Sequence, residues 1–438
     1  MLIQFRVENY KSFDEEQKLS MIAGSTRNNS NHVFDFRGQG ILKTAVIFGS
    51  NASGKSNLIK AMAAVRNFLL YNIPIPPVDY CRIKPENKDR ATAFEFVISI
   101  GNEKYAYGIE IMLSTGNIES EWLKDISKPG KGVSVFQRGK RNITTDMTFG
   151  RDNMFFEVYR SESLNNPRIP FLSILSRLPV GNGSKKGSNP VHKVLRWFSN
   201  SLRIISAGGT TPFNFTSRRD AFTRRVLPAY GTGISDIEYQ TLDDMHNPIP
   251  SDVLYNIARS IVRRPEGNEP AGVIDGGVVG KFPIFFDKDG RPKVKKMMFN
   301  HDGTLFEYYE ESEGTNRLFD LTPILDPLDE KEIVYVIDEL DRSLHPQLTK
   351  KFVTDFEKMP KEAHRQLITT THESRLMDLS LLRRDEMWFV EKKNGASSIY
   401  SLEEFNERSD RRIDKAYLDG RYGAVPCFRE LFPDLERS

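Results

Sequence analysis

The chain has 438 residues, 39% hydrophobic and 11% aromatic, enough for a large core or for two or three domains. Lys and Arg number 62 against 59 acidic residues, a net charge of +3, so a chain-wide basic footprint for nucleic acid is excluded and only local clusters remain. Cys81 and Cys427 are too few and too far apart for a zinc site or a disulfide framework, the N-terminus has no signal-peptide character, and no apolar run is long enough to cross a bilayer, so a soluble cytoplasmic protein is expected.

Residues 2–7 alternate between apolar and polar side chains and predict an opening strand. Residues 42–48 are more continuously apolar, as in a strand buried on both faces. A Gly-rich loop follows at once, then apolar positions at helical spacing over residues 56–70, which Pro74, Pro76 and Pro77 bring to an end. Strand patterns follow over 92–100 and 104–112. Residues 154–225 read as mixed helix, broken at 181–188 by a Gly-, Ser- and Lys-rich stretch that predicts a mobile surface loop. Strand signals return at 282–286 and 294–300. The last third then alternates strand (333–337), a helix after Pro346, and strands at 366–370 and 386–391, the pattern of a mainly parallel sheet covered by helices. Sustained heptads and internal repeats are absent from the sequence, so long coiled-coil arms are excluded.

The loop reads Gly49-Ser50-Asn51-Ala52-Ser53-Gly54-Lys55-Ser56, a G-x-x-x-x-G-K-S pattern between a buried-strand pattern and a helix pattern. A polyphosphate needs inward-pointing backbone N–H groups, close backbone approach at glycine and a cation for its terminal charge. Lys55 is placed to reach the β- and γ-phosphates, and Ser56 to ligate Mg²⁺. The apolar run at 333–337 ends in Asp338-Glu339, which puts Asp338 near the metal and Glu339 where a general base would polarise water. By itself this could equally be a core strand ending in solvated acids; the preceding loop is what favours the metal reading. The run at 366–370 leads to His372, suited to sensing the γ-phosphate, although a lone histidine at a strand end is usually structural. His372-Glu373 lacks the second histidine of a metalloprotease.

Lys55, Asp338, Glu339 and His372 in this order resemble the ABC-type ATPases, specifically their SMC, Rad and RecF branch. Asn9-Tyr10-Lys11-Ser12-Phe13 is similar to that branch's N-F-[RK]-S element, and Leu340-Asp341-Arg342-Ser343-Leu344-His345-Pro346 to its D-loop. Glu311-Ser312-Glu313-Gly314-Thr315-Asn316-Arg317 stands where the signature motif belongs. It departs from L-S-G-G-[QE] towards the S-x-G-T-x-R form of abortive-infection and OLD-like antiviral ATPases. Tyr417 to Pro426 resembles the near-terminal G-R-Y-G-A-[IV]-P element of those proteins, and residues 382–392 their strand after the switch histidine. No glutamine after the first helix occupies the place of a Q-loop.

The resemblance implies an α/β fold: an ABC-type ATPase head with a mixed-sheet lobe, a parallel P-loop sheet and a mostly helical insert. Residues 1–150 would form its N-terminal part, 151–270 the insert, and 271–438 the C-terminal part. It implies ATP and Mg²⁺ as cofactors, with Asn9, Lys11, Gly49 to Ser56, Asn57, Ser312, Gly314 and Asp341 around the nucleotide. Ser56 and Asp338 would sit at the metal, and Lys55, Glu339 and His372 in catalysis. It further implies a homo-oligomer with composite ATP sites. A separately encoded effector such as a TOPRIM-type nuclease, a nucleic-acid or phage-protein trigger and no membrane association are the remaining expectations. A RecF-like DNA-repair ATPase and a hydrolysis-poor scaffold remain open alternatives. Other readings weighed are a nuclease built on Asp385 with Glu391-Lys392-Lys393, and basic clusters at Arg138, Lys140 and Arg141, at Arg218, Arg219, Arg224 and Arg225, and at Lys293, Lys295 and Lys296. Solvated faces balanced by nearby acids are the plainer account of the clusters.

Overall fold

The apolar run before the Gly-rich loop folds as the strand Thr44–Phe48, with all five residues buried. It lies inside a six-stranded sheet of order Leu202–Ile205, Val334–Ile337, Gln366–Thr370, Thr44–Phe48, Met387–Lys393, Ala396–Ser401. The first five strands are parallel to their neighbours, and only the final hairpin is antiparallel. Burial of every residue in Thr44–Phe48 and Val334–Ile337 explains why these two strands read as nearly continuous apolar runs rather than alternations. The register pairs Ile337 with Thr369 and Thr370 with Ile47, so three strands end level at one edge of the sheet. The carboxyl edge of a parallel sheet is where such folds place ligands.

The computed structural model describes residues 1–26, 28–128, 130, 132–146, 153–177, 189–209, 217–242, 248–261, 270–276, 280–327, 332–405 and 412–426. The surface loop expected at 181–188 and Cys427 lie outside these residues.

A seven-stranded antiparallel sheet belongs to the same unit, in the order Ile143–Thr144, Val133–Gly139, Asn117–Asp125, Glu103–Met112, Thr92–Ile100, Leu2–Glu8, Gln17–Ser20. Phe5 packs on Phe96 at 4.7 Å between ring centroids, and Trp197 and Phe198 meet Phe96 edge-on. This unit comprises Met1–Ala207, Glu330–Leu340 and Pro360–Ser438.

The second unit comprises Gly208–Asp329 and Asp341–Met359. Its antiparallel sheet runs Asp236–Thr241, Pro292–His301, Lys281–Phe286, Gly272–Asp275, with Thr304–Glu307 also paired to Pro292–His301. Helices Ser217–Ala229, Ser251–Ser260, Glu313–Leu321 and Pro346–Glu357 complete it. A small core joins Leu254, Phe282, Ile284 and Val294.

These boundaries differ from the expected division at 150 and 270. Helices Asn153–Asn165, Phe171–Leu175 and Pro190–Arg196 belong to the first unit, and the strand Leu202–Ile205 joins the parallel sheet through its pairing with Val334–Ile337. The second unit is mixed rather than mainly helical. Helical periodicity marks where helices lie but not the surface they pack on, and a four-residue strand carries too little pattern to stand out.

Gln366 is fully buried where the six-stranded sheet meets Leu2 of the seven-stranded sheet and Leu42 of a two-stranded hairpin, Val33–Phe36 with Gln39–Leu42. Its Oε1 accepts from Leu2 N at 2.6 Å, and its Nε2 donates to Leu2 O at 2.9 Å and Leu42 O at 3.0 Å. One amide thus satisfies three backbone groups from two other strands. Gln366→Leu fills the volume but leaves all three without this partner, and is expected to cost about 2–4 kcal/mol. A urea midpoint equal to the wild type's would contradict this account of the junction.

Candidate active site

The loop is shaped by close approach. Gly49 has φ 154 and Gly54 φ 115. A Cβ at Gly49 would strike the Val390 carbonyl, and one at Gly54 the hydroxyls of Ser12 and Ser397. Glycine is therefore required at both positions by conformation and by space. Helix Lys55–Tyr71 begins directly after Gly54 with no side-chain cap, and a helix N-terminus is where backbone N–H groups suit an anion.

Lys55 is buried, and its Nζ donates to Gly49 O at 2.7 Å and Ser50 O at 3.0 Å. The ammonium is thus folded onto its own loop, held by oxygens that phosphate oxygens would replace. Ser53 Oγ is buried and has no hydrogen-bond partner among the described residues. An orphaned hydroxyl inside the loop fits a phosphate acceptor better than a merely structural turn. The loop is supported from outside: Ser397 Oγ donates to Ser53 O, Ser397 N to Ser12 O at 2.7 Å, and Asn57 Nδ2 to Ser12 Oγ at 2.8 Å.

Asp338 directly follows the strand Val334–Ile337 and is 4% exposed. Its Oδ1 accepts from Ser56 Oγ at 3.1 Å and from Thr370 Oγ1 at 2.6 Å. A hydroxyl and a carboxylate at this distance supply the hard oxygen ligands that Mg²⁺ takes in nucleotide sites, so the residues present fit the metal. Glu339 has φ 53, a left-handed conformation that few non-glycine residues adopt. Its N–H donates to Thr370 Oγ1 at 2.8 Å. One strand further on, Thr371 is buried with its N–H on Ile47 O at 3.0 Å, and His372 beyond it is exposed. Lys55 and Ser56 thus open the helix that follows Thr44–Phe48, and Asp338, Glu339 and His372 follow the ends of the two neighbouring parallel strands. Ser397 and Thr370 were not assigned by sequence reasoning. Neither belongs to a spacing motif, and only the strand register reveals their contacts.

Asn9 and Lys11, expected near the nucleotide, are both engaged by other parts of the chain. Asn9 is fully buried, with Nδ2 donating to Asn87 O at 2.9 Å and Arg90 O at 2.8 Å and Oδ1 accepting from Cys81 N at 3.1 Å. Its amide is used up in holding a backbone loop. Lys11 Nζ is ion-paired with Asp79 at 2.7 Å. Ser12 is the member of that element that reaches the P-loop.

The second unit carries the other expected residues. Ser312 is exposed and caps helix Glu313–Leu321, its Oγ accepting from Thr315 N at 3.1 Å. A Cβ at Gly314 would stand 2.6 Å from Ser343 O, and Ser343 Oγ donates to Glu313 Oε2 at 2.9 Å. Asp341 O accepts from Leu344 N at 3.0 Å, closing the turn that carries Ser343. The signature-like and D-loop-like segments therefore pack on each other, and Glu313, Asn316, Arg342 and Ser343 border a cavity of about 550 Å³.

Asp385 does not form a nuclease site. It is 3% exposed, chelated by Arg383 at 2.9 and 2.6 Å, and accepts from Gly24 N at 2.7 Å. Beside it, burial raises the Glu386 carboxyl well above the ordinary range, and His32 Nδ1 lies 3.0 Å away. Among the basic clusters, Arg138 is buried near Glu121 and donates to three carbonyls. Lys140 pairs with Glu119, Arg224 with Asp220 and Asp236, and Lys296 with Glu307. The Arg218 side chain lies outside the described residues.

Residues 45–378 match the family described as AAA domain, putative AbiEii toxin, Type IV TA system. The chain belongs to this family. The matched span contains the P-loop, the paired carboxylates, His372, Ser312, Gly314 and Asp341, and leaves out Asn9, Lys11 and residues 412–426. No protein of curated function matches the chain. Among solved structures it is similar, at 14% identity and a TM-score of 0.44, to the SmcHead bound to the C-winged helix domain of ScpA, over 91% of this chain and 97% of that one. It is also similar to the SMC head domain from Thermotoga maritima at 14% identity and a TM-score of 0.35, over 91% and 98%. Among the described residues, no helix is long and apolar enough to cross a membrane.

Lys55→Ala removes a charged donor from the loop while leaving its glycines in place. ATP affinity measured by calorimetry is expected to fall about 100-fold with little change in Tm. Wild-type affinity in this variant would show that the loop does not hold the nucleotide.

Proposed function

We propose that the chain is an ATP-hydrolysing switch whose copies close head to tail over ATP, and that it serves as the sensor or scaffold of an anti-phage system. The observation that carries the hydrolytic part is Ser56 and Asp338 meeting at 3.1 Å beside the P-loop, with Glu339 next in the chain. When bound, Mg²⁺ supplies charge neutralisation at the β- and γ-phosphate oxygens. Ser56 and Asp338 would hold the ion, and Lys55 would turn from the loop carbonyls to the phosphates. Glu339 accepts a proton as the water oxygen attacks the γ-phosphorus; the bond to the β-phosphate oxygen breaks, leaving ADP and phosphate. His372 contacts the γ-phosphate from its strand end.

The composite part rests on Ser312, whose exposed position at a helix N-terminus suits it to an anion carried by another protomer. Closure would then depend on ATP, because the nucleotide contributes surface to both partners. The family description, with its toxin and toxin–antitoxin terms, supports a defence role. In that role the closed and open states control a separately encoded effector, for which a TOPRIM-type nuclease is the candidate. The trigger would be a nucleic acid or a phage protein.

Glu339→Gln is expected to bind ATP and accumulate as a closed oligomer with hydrolysis at least about 100-fold below wild type. Hydrolysis at the wild-type rate would remove Glu339 from the base role. Mixing Ser312→Arg with Lys55→Ala protomers should recover part of the activity that each lacks alone. No recovery in a verified hetero-oligomer would exclude composite sites. Affinity purification from native cells, with and without phage infection, tests the effector. An RNA- or DNA-cleaving partner is the expected result, and ATP-stimulated, salt-sensitive duplex binding without a partner would point to DNA repair instead.

A further inference from the structure

The Thr370 side chain touches both residues of the carboxylate pair, and its main chain touches the residue after them. Its hydroxyl donates to Asp338 Oδ1 at 2.6 Å and accepts from Glu339 N at 2.8 Å, while its carbonyl accepts from Leu340 N at 3.0 Å. Thr370 is fully buried, and the neighbouring Thr369 Oγ1 donates to Ile337 O at 3.1 Å. The strand Gln366–Thr370 thus grips the end of Val334–Ile337 at consecutive positions, through Ile337, Asp338, Glu339 and Leu340.

Two features make the hydroxyl more than a packing group. Glu339 sits at φ 53, and a left-handed non-glycine residue persists only where its surroundings hold it. The Thr370 hydroxyl and carbonyl accept from the N–H groups of Glu339 and of Leu340 after it, fixing the peptides on either side of that residue. The same hydroxyl fills a lone pair of Asp338 Oδ1, the oxygen that Ser56 also approaches. That bond sets which way the carboxylate faces Ser56.

We infer that Thr370 is the positioning residue of the ATPase site, orienting Asp338 for the metal and Glu339 for water through one hydroxyl. The inference rests on the hydrolytic reading above and adds a residue to it. Groups that orient metal-binding carboxylates from behind typically contribute 10–100-fold in metal affinity or activity.

The test uses the full chain with Thr370→Val, which keeps the shape and removes the hydroxyl, and Thr370→Ser, which keeps the hydroxyl. For Thr370→Val, kcat for ATP is expected to fall about 10–100-fold with KM within about threefold, and the Mg²⁺ midpoint for binding a fluorescent ATP analogue to rise about 10-fold. Thr370→Ser should stay within about threefold of wild type on all three. Wild-type kcat and Mg²⁺ midpoint in Thr370→Val would overturn the inference. Equal impairment of the Val and Ser variants would also overturn it, since the methyl group would then be what matters. If Thr370→Val fails to fold, Thr370→Cys carries the same comparison with a weak donor. Should the wild type bind the analogue with Mg²⁺ yet not turn over ATP, the hydrolytic reading fails, while the Mg²⁺ midpoints of the variants still decide the role of Thr370.

Discussion

Asp338 Oδ1 accepts from two hydroxyls, Ser56 on the helix after the P-loop and Thr370 on the neighbouring strand, and this convergence depends on strands that end level. The register sets Ile337 beside Thr369 and Thr370 beside Ile47. Side chains alternate along a strand, so a slip of one residue would turn Thr370 to the opposite face and break its contacts with Asp338 and Glu339. The chemistry of the site is thus a consequence of parallel pairing between segments distant in sequence.

The same edge tolerates unusual backbone. Glu339, Ala52 and the two P-loop glycines adopt positive φ, and each lies within a few residues of a strand end. Such conformations persist where hydrogen bonds over-determine them. Here the bonds come from Thr370 on one side and from Ser12 and Ser397 on the other. Ser12 and Ser397 lie outside the span matched by the family, so the loop leans on both the opening segment and the final hairpin of the chain.

The second unit has its own internal logic. Gly314 lies against Ser343 O with no room for a side chain, and Ser343 bonds Glu313. A substitution in either segment therefore disturbs the other. The Ser312 cap and the Asp341 turn are parts of one surface, which is what the composite-site proposal requires of them.

Local pattern marked several of the strands that carry the candidate site residues. Nearly continuous apolar runs marked the strands at 44–48 and 334–337, because burial on both faces leaves no polar alternation, and the P-loop residues are contiguous in the chain. The position of each carboxylate and of His372 follows from where the strands stop. At Asn9 local pattern did not foretell the partners of the amide, which donates to carbonyls of residues 87 and 90. Nor did it mark where the two compact units divide, since a helix's periodicity does not name the surface that buries it. Thr370, Ser397 and Gln366 acquire their roles from atoms up to hundreds of positions away, and only tertiary pairing brings those atoms within hydrogen-bond range. The sequence by itself singled out the candidate phosphate and metal groups, because those groups are contiguous or follow a recognisable strand. The tertiary structure decided which residues hold them in place, because register and packing join segments that no local pattern connects.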